Sequence, residues 1–252
     1  MVNRIFLAAA AAVVMGSCGG DRGSKAAAGT EGAAREARSA DFSLASPSGL
    51  QAIRSGAEIT GVVLAQAVWS NPDIQVCWET MDPADADGRR WTQQAVEDSW
   101  ESASRADFVG WGACGSNSPG VHIQIADEVA QTEVLGSLLD GMRNGMRLNF
   151  RMNNWNRGCR AASGLEACVR IVAIHEFGHA LGLAHEQNRP ETREVAGDDC
   201  ARRASGTVGD RPLTPWDPES VMNYCNRVSG NGGRLSVRDI SSVQQLYGLP
   251  IR

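Results

Sequence analysis

The order of its sequence patterns predicts that this chain folds as an α/β (α+β) domain with a mixed sheet, because strand-like and helix-like segments follow in the order strand, helix, strands, helix. Hydrophobic residues make up 42% of the chain and charged residues 21%, which is typical of a soluble globular protein. The 252 residues are enough for one ordinary domain preceded by a leader. We expect the domain at residues 56–252, where the composition becomes globular.

Four segments have strand patterns. Residues 73–79 alternate between polar and apolar side chains, and residues 121–125 do the same, as expected for strands with one buried face. Residues 108–111 form a shorter apolar segment between them. Residues 146–150 form the fourth segment, and we expect it at the edge of the sheet.

Helical patterns lie on both sides of these strands. Residues 90–106 place apolar side chains near one helix face. Residues 167–174 are mostly apolar and predict a buried helix, and a last helix is expected at about 237–247. The acidic residues 82–88 do not match EF-hand spacing, so we predict a solvated turn leading into a helix and assign no calcium site.

The most informative segment is residues 175–185, which contain three of the four histidines. His175 and His179 are four residues apart, so a helix would place both imidazoles on one face, within reach of one metal ion. Gly182 can end the helix and turn the chain, which would bring His185 to the same ion. Glu176 would lie beside a metal-bound water without coordinating the metal. The spacing predicts one catalytic Zn²⁺ with an open position.

This extended motif resembles that of the metzincin clan of zinc peptidases, and the segment Ser220–Tyr224 is similar to the clan's methionine turn, with Met222 as its methionine. The residues following His185 look like those of astacins, whereas residues 235–248 look like the last helix of matrixins. The chain is therefore identified as metzincin-like, with mixed astacin-like and matrixin-like features. The resemblance implies a twisted mixed sheet, a long zinc-binding active-site helix, the methionine turn and a C-terminal helix.

The resemblance also implies roles for individual residues. Glu176 would act as general base and acid, and Tyr224 would stabilise the oxyanion. Met222 would form an apolar floor under the imidazoles, and Glu186 would hold a buried charge partner. A peptide substrate would add to the sheet along residues 146–150.

Six cysteines follow residue 56, and six cysteines in an exported domain indicate three disulfides. Six cysteines allow fifteen pairings. Proximity and the predicted layout favour Cys159–Cys168 and Cys200–Cys225, which leaves Cys77–Cys114. The cysteines have no C-x-x-C spacing, so we do not expect them to bind zinc. We also expect His122 to be a partly buried sheet residue and not a ligand.

The first residues have the layout of a signal peptide, with Arg4, an apolar run at 5–15 and small residues before Cys18. We predict a lipoprotein-type signal peptide at residues 1–17, because residues 15–18 resemble a bacterial lipobox whose cysteine is lipidated. Plain secretion is the alternative. In either case the protein would be exported, as a lipoprotein of the cell envelope or as a secreted protein. It would contact a membrane only through the lipid on Cys18.

Residues 18–55 are rich in Gly, Ala and Ser and cannot build a core, so they are predicted to form a flexible tether or a short pro-segment. The formal charge of −5 gives no reason to expect a nucleic-acid partner. The leading hypothesis is a secreted or lipid-anchored zinc endopeptidase acting on protein or peptide substrates. The alternatives are a zinc-binding surface protein with vestigial activity and a zinc hydrolase of a non-peptide amide.

Overall fold

The computed structural model describes residues 62–226 and 228–251. The predicted signal peptide, Cys18 and the segment 18–55 lie outside the described residues, as does the predicted boundary at residue 56. The described residues all belong to one compact unit, Ala52–Arg252. None of the helices that they form is long and apolar enough to cross a membrane.

The described part of the chain forms a five-stranded mixed sheet and a separate pair of short strands, β1 and β7. The strand order in the larger sheet is β3-β2-β4-β6-β5, with only β5 antiparallel to its neighbour. The strands are β1 Val62–Val63, β2 Asp73–Trp78, β3 Asp107–Ala113, β4 Val121–Ile125, β5 Gln131–Thr132, β6 Met146–Leu148 and β7 Arg211–Pro212.

The helices lie between and after these strands. They are α1 Ala86–Val96, which continues as a π-helical turn Glu97–Glu101, α2 Arg157–Ser163, α3 Leu165–Ala180, α4 Thr192–Ala196, α5 Asp198–Ala201 and α6 Val237–Tyr247. Short 3₁₀ turns occur at Ala65–Ala67, Pro83–Asp85, Gly136–Leu139, Glu186–Asn188 and Ser229–Gly233.

The predicted fold class is confirmed, and so are the segments that contain most of its elements. Helix α1 begins four residues before the predicted start at residue 90, because Asp82 caps the preceding turn and Pro83 suits its first position. Helix α6 has the predicted bounds. Its first turn carries a capping box, in which Ser236 and Asp239 each accept a backbone hydrogen bond.

The prediction that residues 146–150 form a sheet edge is wrong. Strand β6 pairs with β4 on one side and with β5 on the other, and both Met146 and Leu148 are buried. The edge strand on this side of the sheet is β5, whose two residues, Gln131 and Thr132, are polar and have no alternating pattern. A strand of two polar residues has too little periodicity to be recognised in a sequence.

Helix α3 packs across the sheet as part of the main hydrophobic core. Phe177 is fully buried and makes an edge contact with Phe108 of β3, with ring centroids 4.8 Å apart. On its other side the indole of Trp100 donates a hydrogen bond of 2.8 Å to the carbonyl of Ile174. The helix that carries the histidine motif is therefore held by the core on more than one side.

All three predicted disulfides are confirmed among the described residues: Cys77–Cys114, Cys159–Cys168 and Cys200–Cys225. Three disulfides indicate folding in an oxidising compartment, in agreement with an exported protein. The third disulfide links α5 to the segment that follows Met222. It therefore joins two loops that flank the histidine motif.

Candidate metal centre

Helix α3 presents two histidines one turn apart near its C-terminal end. His175 and His179 are both buried, and their ring centroids are 4.8 Å apart with the ring planes at 86°. Residues four apart on a helix share a face, so this arrangement follows from the sequence spacing once the helix forms. Two imidazoles on one helix face supply two ligands of a metal site.

The chain reverses direction directly after α3 at Gly182. This residue has φ of +95°, a conformation that glycine adopts without steric penalty. The reversal returns His185 to the helix, where its Nε2 lies 3.1 Å from the Nε2 of His175 and 3.1 Å from that of His179. The structure therefore brings the three predicted ligands together.

The other ring nitrogen of each imidazole, Nδ1, faces a backbone carbonyl oxygen. The acceptors are Val221 for His175 and Leu183 for His179, both at 2.8 Å, and Ser205 for His185 at 2.9 Å. An imidazole that donates from Nδ1 keeps a lone pair on Nε2. Three lone pairs that converge cannot hydrogen-bond to one another, whereas a cation between them satisfies all three.

The separations and the protonation state both fit zinc. Nitrogen ligands about 2.05 Å from a tetrahedral zinc ion lie about 3.3 Å apart, close to the spacing of these Nε2 atoms. Burial lowers the pKa of His175 to about 3 and the pKa of His179 well below its usual value, and it also lowers the pKa of His185. The three imidazoles are therefore neutral at pH 7, which is the form that binds metals.

Glu176 is buried beside this cluster. Its Oε2 accepts a hydrogen bond of 2.8 Å from Oγ1 of Thr132 on the edge strand β5. Burial raises the pKa of Glu176 to about 7, while the Thr132 hydroxyl lowers it. Such a carboxyl exchanges protons near neutral pH, as a general base requires. Sequence reasoning missed Thr132, since nothing near position 132 indicates contact with a residue 44 positions away.

Tyr224 lies over the cluster and is partly exposed. Its ring stacks on His175, with centroids 5.2 Å apart, and lies 4.4 Å from the ring of His185. Burial, together with the nearby charge of Glu176, raises the pKa of the Tyr224 hydroxyl to about 12. The hydroxyl therefore stays protonated at neutral pH and can donate a hydrogen bond.

Met222 is buried against the helix that carries the histidines. A Cβ atom added to Gly178 would lie 2.4 Å from the Met222 sulfur, so the glycine leaves the space that the thioether fills. The Met222 side chain therefore packs against the helix at Gly178, between the positions of His175 and His179, and supports the helix with an apolar contact. Gly178 is a second residue that sequence reasoning missed, because its requirement comes from a residue 44 positions later.

Asp239 of α6 holds the turn that contains Met222. Its carboxylate accepts hydrogen bonds from Oγ of Ser220 at 2.6 Å, from N of Val221 at 3.0 Å and from N of Ser236 at 2.9 Å. The carbonyl of Val221 is the acceptor for Nδ1 of His175. A buried carboxylate on the last helix thus fixes the acceptor of the first histidine.

Glu186 contacts a buried charge partner from its own turn, Arg189. The guanidinium, which is fully buried, lies 3.1 Å from Oε2 of Glu186 and also donates to the carbonyl of Thr214. The same carboxylate oxygen accepts from N of Asp217 at 3.0 Å. Burial raises the pKa of Glu186 to about 7, and the guanidinium opposes that shift.

The next side chain, Gln187, reaches a different loop. Its Oε1 accepts a hydrogen bond of 3.0 Å from N of Tyr224. The turn after His185 therefore anchors the backbone of Tyr224, and through Glu186 it also anchors the segment at Asp217. These contacts explain why polar residues directly after the third histidine are buried.

Two cavities open on either side of the cluster. One has a volume of about 600 Å³ and is lined by apolar residues of α3 together with Trp155, Arg203 and Tyr224. The other has a volume of about 460 Å³ and is bounded by β5, His179, His185 and the segment 205–207. Glu176 and Tyr224 border both cavities, so an extended ligand that filled both would cross the histidine cluster.

His122 is buried in β4, as predicted for a sheet residue. It lies near Cys77 and Cys114, but these two cysteines form a disulfide. Its Nδ1 lies 3.1 Å from Glu79, and its Nε2 lies 2.7 Å from the carbonyl of Ser118. Both ring nitrogens therefore have protein partners.

The mixed sheet, the helix that presents two histidines, the glycine turn and the methionine-containing turn together define a metzincin-like catalytic-domain fold. The chain is similar to myroilysin, a metzincin-type metallopeptidase, with a TM-score of 0.51 and 17% identity over 76% of this chain and 100% of that one. A second myroilysin structure covers 81% of this chain and 96% of its own, with a TM-score of 0.47 and 17% identity.

The sequence also resembles part of a curated relative. It is 32% identical over 83 residues to the macrophage metalloelastase of Rattus norvegicus. The match spans 32% of this chain and 12% of the length of that relative. No protein-family model matches the chain. The metzincin-like fold predicted from the motif is therefore confirmed.

Proposed function

We propose that this protein is an exported zinc endopeptidase whose catalytic domain occupies residues 56–252. The observation that carries the proposal is the convergence of three neutral imidazoles at 3.1 Å beside a carboxyl that takes no part in the cluster. That arrangement provides three ligands, an open position and an independent base. The metzincin-like fold supports a peptidase, because the solved structures that it resembles are metallopeptidases.

His175, His179 and His185 would hold the zinc ion. When bound there, zinc supplies a Lewis acid that polarises a carbonyl and makes water a stronger acid. The protein sets the tautomer of each imidazole, because each Nδ1 donates a hydrogen bond to a backbone carbonyl. These carbonyls also orient the rings, so that the three Nε2 atoms point to one place.

Glu176 accepts the proton of the water that attacks the peptide carbon and passes that proton to the leaving amine. A pKa of about 7 allows the carboxyl to do both at neutral pH. Thr132 holds one carboxylate oxygen through the hydrogen bond of 2.8 Å, which leaves the other oxygen to face the water. Thr132 is therefore a positioning residue of the general base.

Tyr224 donates its hydroxyl proton in a hydrogen bond to the oxyanion that forms on the substrate carbonyl. Its raised pKa keeps the phenol protonated. Its backbone is held by Gln187 on one side and by Arg203, whose Nη1 donates to the Tyr224 carbonyl at 2.8 Å, on the other. A donor held in this way stabilises charge that appears only in the transition state.

A peptide substrate would pair with the edge strand β5 and not with residues 146–150. Strand β5 borders the cleft, and its Thr132 touches Glu176. The unpaired side of an edge strand offers backbone groups that an extended peptide can bind. The peptide would then extend into the two cavities, with its scissile bond at the histidine cluster.

We place the protein outside the cytoplasm, either secreted or held by a lipid on Cys18. The three disulfides support the oxidising compartment. The signal peptide 1–17, the lipid and the segment 18–55 are supported by sequence alone. Mass spectrometry of the mature N-terminus measures cleavage and lipidation together.

The test of the function is Glu176→Gln in the purified full chain, assayed with zinc on a denatured protein and on a peptide library. We expect the rate to fall about 10³-fold, because general acid–base catalysis typically contributes about 10²–10⁴. Zinc stoichiometry should stay at wild-type level, since the carboxyl is not a ligand. Glu194→Gln changes an exposed glutamate of α4 and is the matched control.

Each alternative function has its own outcome in this assay. Zinc binding without cleavage by the wild type would support a binding protein with vestigial activity. Cleavage confined to non-peptide amides would support the alternative of a zinc hydrolase that acts on a non-peptide amide. Equal turnover by wild type and Glu176→Gln would contradict the mechanism proposed for Glu176.

A further inference from the structure

The three carbonyls that orient the histidines belong to different kinds of segment. Val221 lies in the turn anchored by Asp239 and is buried. Leu183 is also buried and forms a bridge with Val63 of β1. Ser205 is exposed and lies in a segment without regular secondary structure between α5 and β7. The acceptor of His185 is therefore the one that the core does not hold.

The backbone of Ser205 is instead held on both sides of its Cα by Asn188, three residues after His185. Oδ1 of Asn188 accepts a hydrogen bond of 2.8 Å from N of Ser205, and Nδ2 donates to the Ser205 carbonyl at 2.6 Å. The same Nδ2 lies 3.2 Å from the carbonyl of Thr207. One side chain thus contacts both polar groups of Ser205 and bridges to the residue two positions further on.

The Ser205 carbonyl therefore has two donors, Nδ2 of Asn188 and Nδ1 of His185 at 2.9 Å. A carbonyl oxygen has two lone pairs, so this pair of donors uses its capacity. Rotation of the peptide between residues 205 and 206 away from His185 would break the contact of Asn188 Nδ2 with the Ser205 carbonyl, while Oδ1 of Asn188 holds the preceding peptide in place. The asparagine consequently opposes the movement that would release the imidazole.

We propose that Asn188 is a positioning residue for the third metal ligand. It holds the Ser205 carbonyl where His185 can donate to it, and so it sets the tautomer and the ring orientation of His185. This inference rests on the proposed function, because it assumes that the histidine cluster binds a metal ion. Residues that orient metal ligands typically change metal affinity about 10–100-fold when they are removed.

The test measures the zinc dissociation constant of Asn188→Ala in the full chain by competition with a chelator. We expect that constant to rise about tenfold. We also expect a changed absorption spectrum of the cobalt-substituted protein, because the geometry of one ligand is altered. Arg202→Ala is the matched control, since its side chain is exposed in the same segment and pairs with Asp199 and not with Ser205. The control should bind zinc like the wild type.

Asn188→Asp provides a second variant of nearly the same size. It keeps the acceptor for Ser205 N but loses the donor for the Ser205 carbonyl, and its charge alone would tighten cation binding. Weaker zinc binding by this variant therefore reports the lost donor. If Asn188→Ala does not fold, this variant decides: weaker binding supports the proposal, and equal or tighter binding overturns it.

Two results separate the failure of this inference from the failure of the proposed function. A zinc dissociation constant for folded Asn188→Ala within twofold of the wild-type value overturns the role of Asn188 and leaves the metal site intact. Both proposals are overturned if the wild-type protein binds no stoichiometric zinc. They are also overturned if the His185→Ala variant binds zinc as tightly as the wild type does.

Discussion

The histidine cluster has two halves that are stabilised in different ways. His175 and His179 come from a helix packed on the sheet, and their acceptors, Val221 and Leu183, are buried. His185 comes from the chain after the glycine turn, and its acceptor belongs to an exposed segment. We refer to these as the core half and the loop half. The comparison shows that one histidine cluster is held in part by the hydrophobic core and in part by a local surface segment.

The difference predicts that damage to the core half costs folding stability, whereas damage to the loop half costs metal affinity. Changes in the core half disturb groups that are buried together with the hydrophobic core. Changes in the loop half disturb hydrogen bonds at the surface, where water replaces lost partners at little cost. The following predictions either separate the two halves or contradict that separation.

The largest expected effect is that of Asp239→Ala. Removal of this carboxylate leaves the hydroxyl of Ser220 and the backbone N–H groups of Val221 and Ser236 without their acceptor in a buried environment. Each unsatisfied buried group costs about 1–3 kcal/mol, so we expect a loss of about 3 kcal/mol in the free energy of unfolding. Urea denaturation measures this loss.

The matched control for that experiment is Asp199→Ala, which removes an exposed aspartate that pairs with Arg202. We expect it to change stability by less than about 0.5 kcal/mol. Asn188→Ala should resemble this control in stability while differing from it in zinc affinity. A loss of about 3 kcal/mol in Asn188→Ala would abolish the distinction between the two halves.

The next largest effect is expected in the stability of the metal-free protein at acidic pH. The pKa of His175 is lowered to about 3 in the folded state, compared with a usual value of 6.5. At this residue the unfolded chain therefore binds more protons than the folded chain between these values, so the contribution of His175 to stability falls as the pH drops below about 6.5. Between pH 6.5 and pH 5 this histidine alone should account for a loss of about 2 kcal/mol.

Urea denaturation of the metal-free protein at pH 7 and at pH 5 measures that loss. His175→Phe should show a smaller difference between the two pH values, because it removes the titrating group and keeps an aromatic ring in the core. Excess zinc should also reduce the difference, since the ligands are then held in the neutral form. Glu176 and Glu186, with pKa values raised to about 7, gain stability over the same pH range, so the test is the difference between the two proteins. An equal pH dependence of stability in the wild type and in His175→Phe would contradict the lowered pKa of His175.

The smallest effect is expected from Thr132→Val on the edge strand. Thr132 belongs to neither half of the histidine cluster, but its hydroxyl contacts Glu176, the proposed general base. The hydroxyl of Thr132 lowers the pKa of Glu176. Its removal should raise that pKa, so the acid limb of the kcat/KM profile should move to higher pH by about half a unit, corresponding to a hydrogen bond of about 0.7 kcal/mol. Thr192→Val alters a buried threonine that contacts Glu186 and serves as control.

Local patterns predicted much of this fold. The helix spacing of His175 and His179, the turn at Gly182 and the last helix at about 237–247 depend on neighbours a few residues away, and the structure contains all three. The disulfides followed from the cysteine positions because each pair is close along the chain or was left over. The motif also led to the correct fold by its resemblance to metzincins.

Contacts between distant residues were not predicted. Thr132 and Gly178 have their roles only because β5 and the Met222 turn pack beside α3. The edge strand was misplaced because two polar residues have no period. Residues 146–150 do alternate like a strand, but this pattern does not reveal which neighbours they pair with.

The sequence by itself determined the chemistry that is available: three imidazoles and one carboxyl at spacings that local structure can bring close together, and one phenol that the family resemblance added. Only the tertiary structure decided which carbonyl orients each imidazole and which side chain holds that carbonyl in place. The physical reason is that helix and turn preferences act over a few residues, whereas burial and hydrogen-bond pairing depend on segments that meet only when the chain has folded.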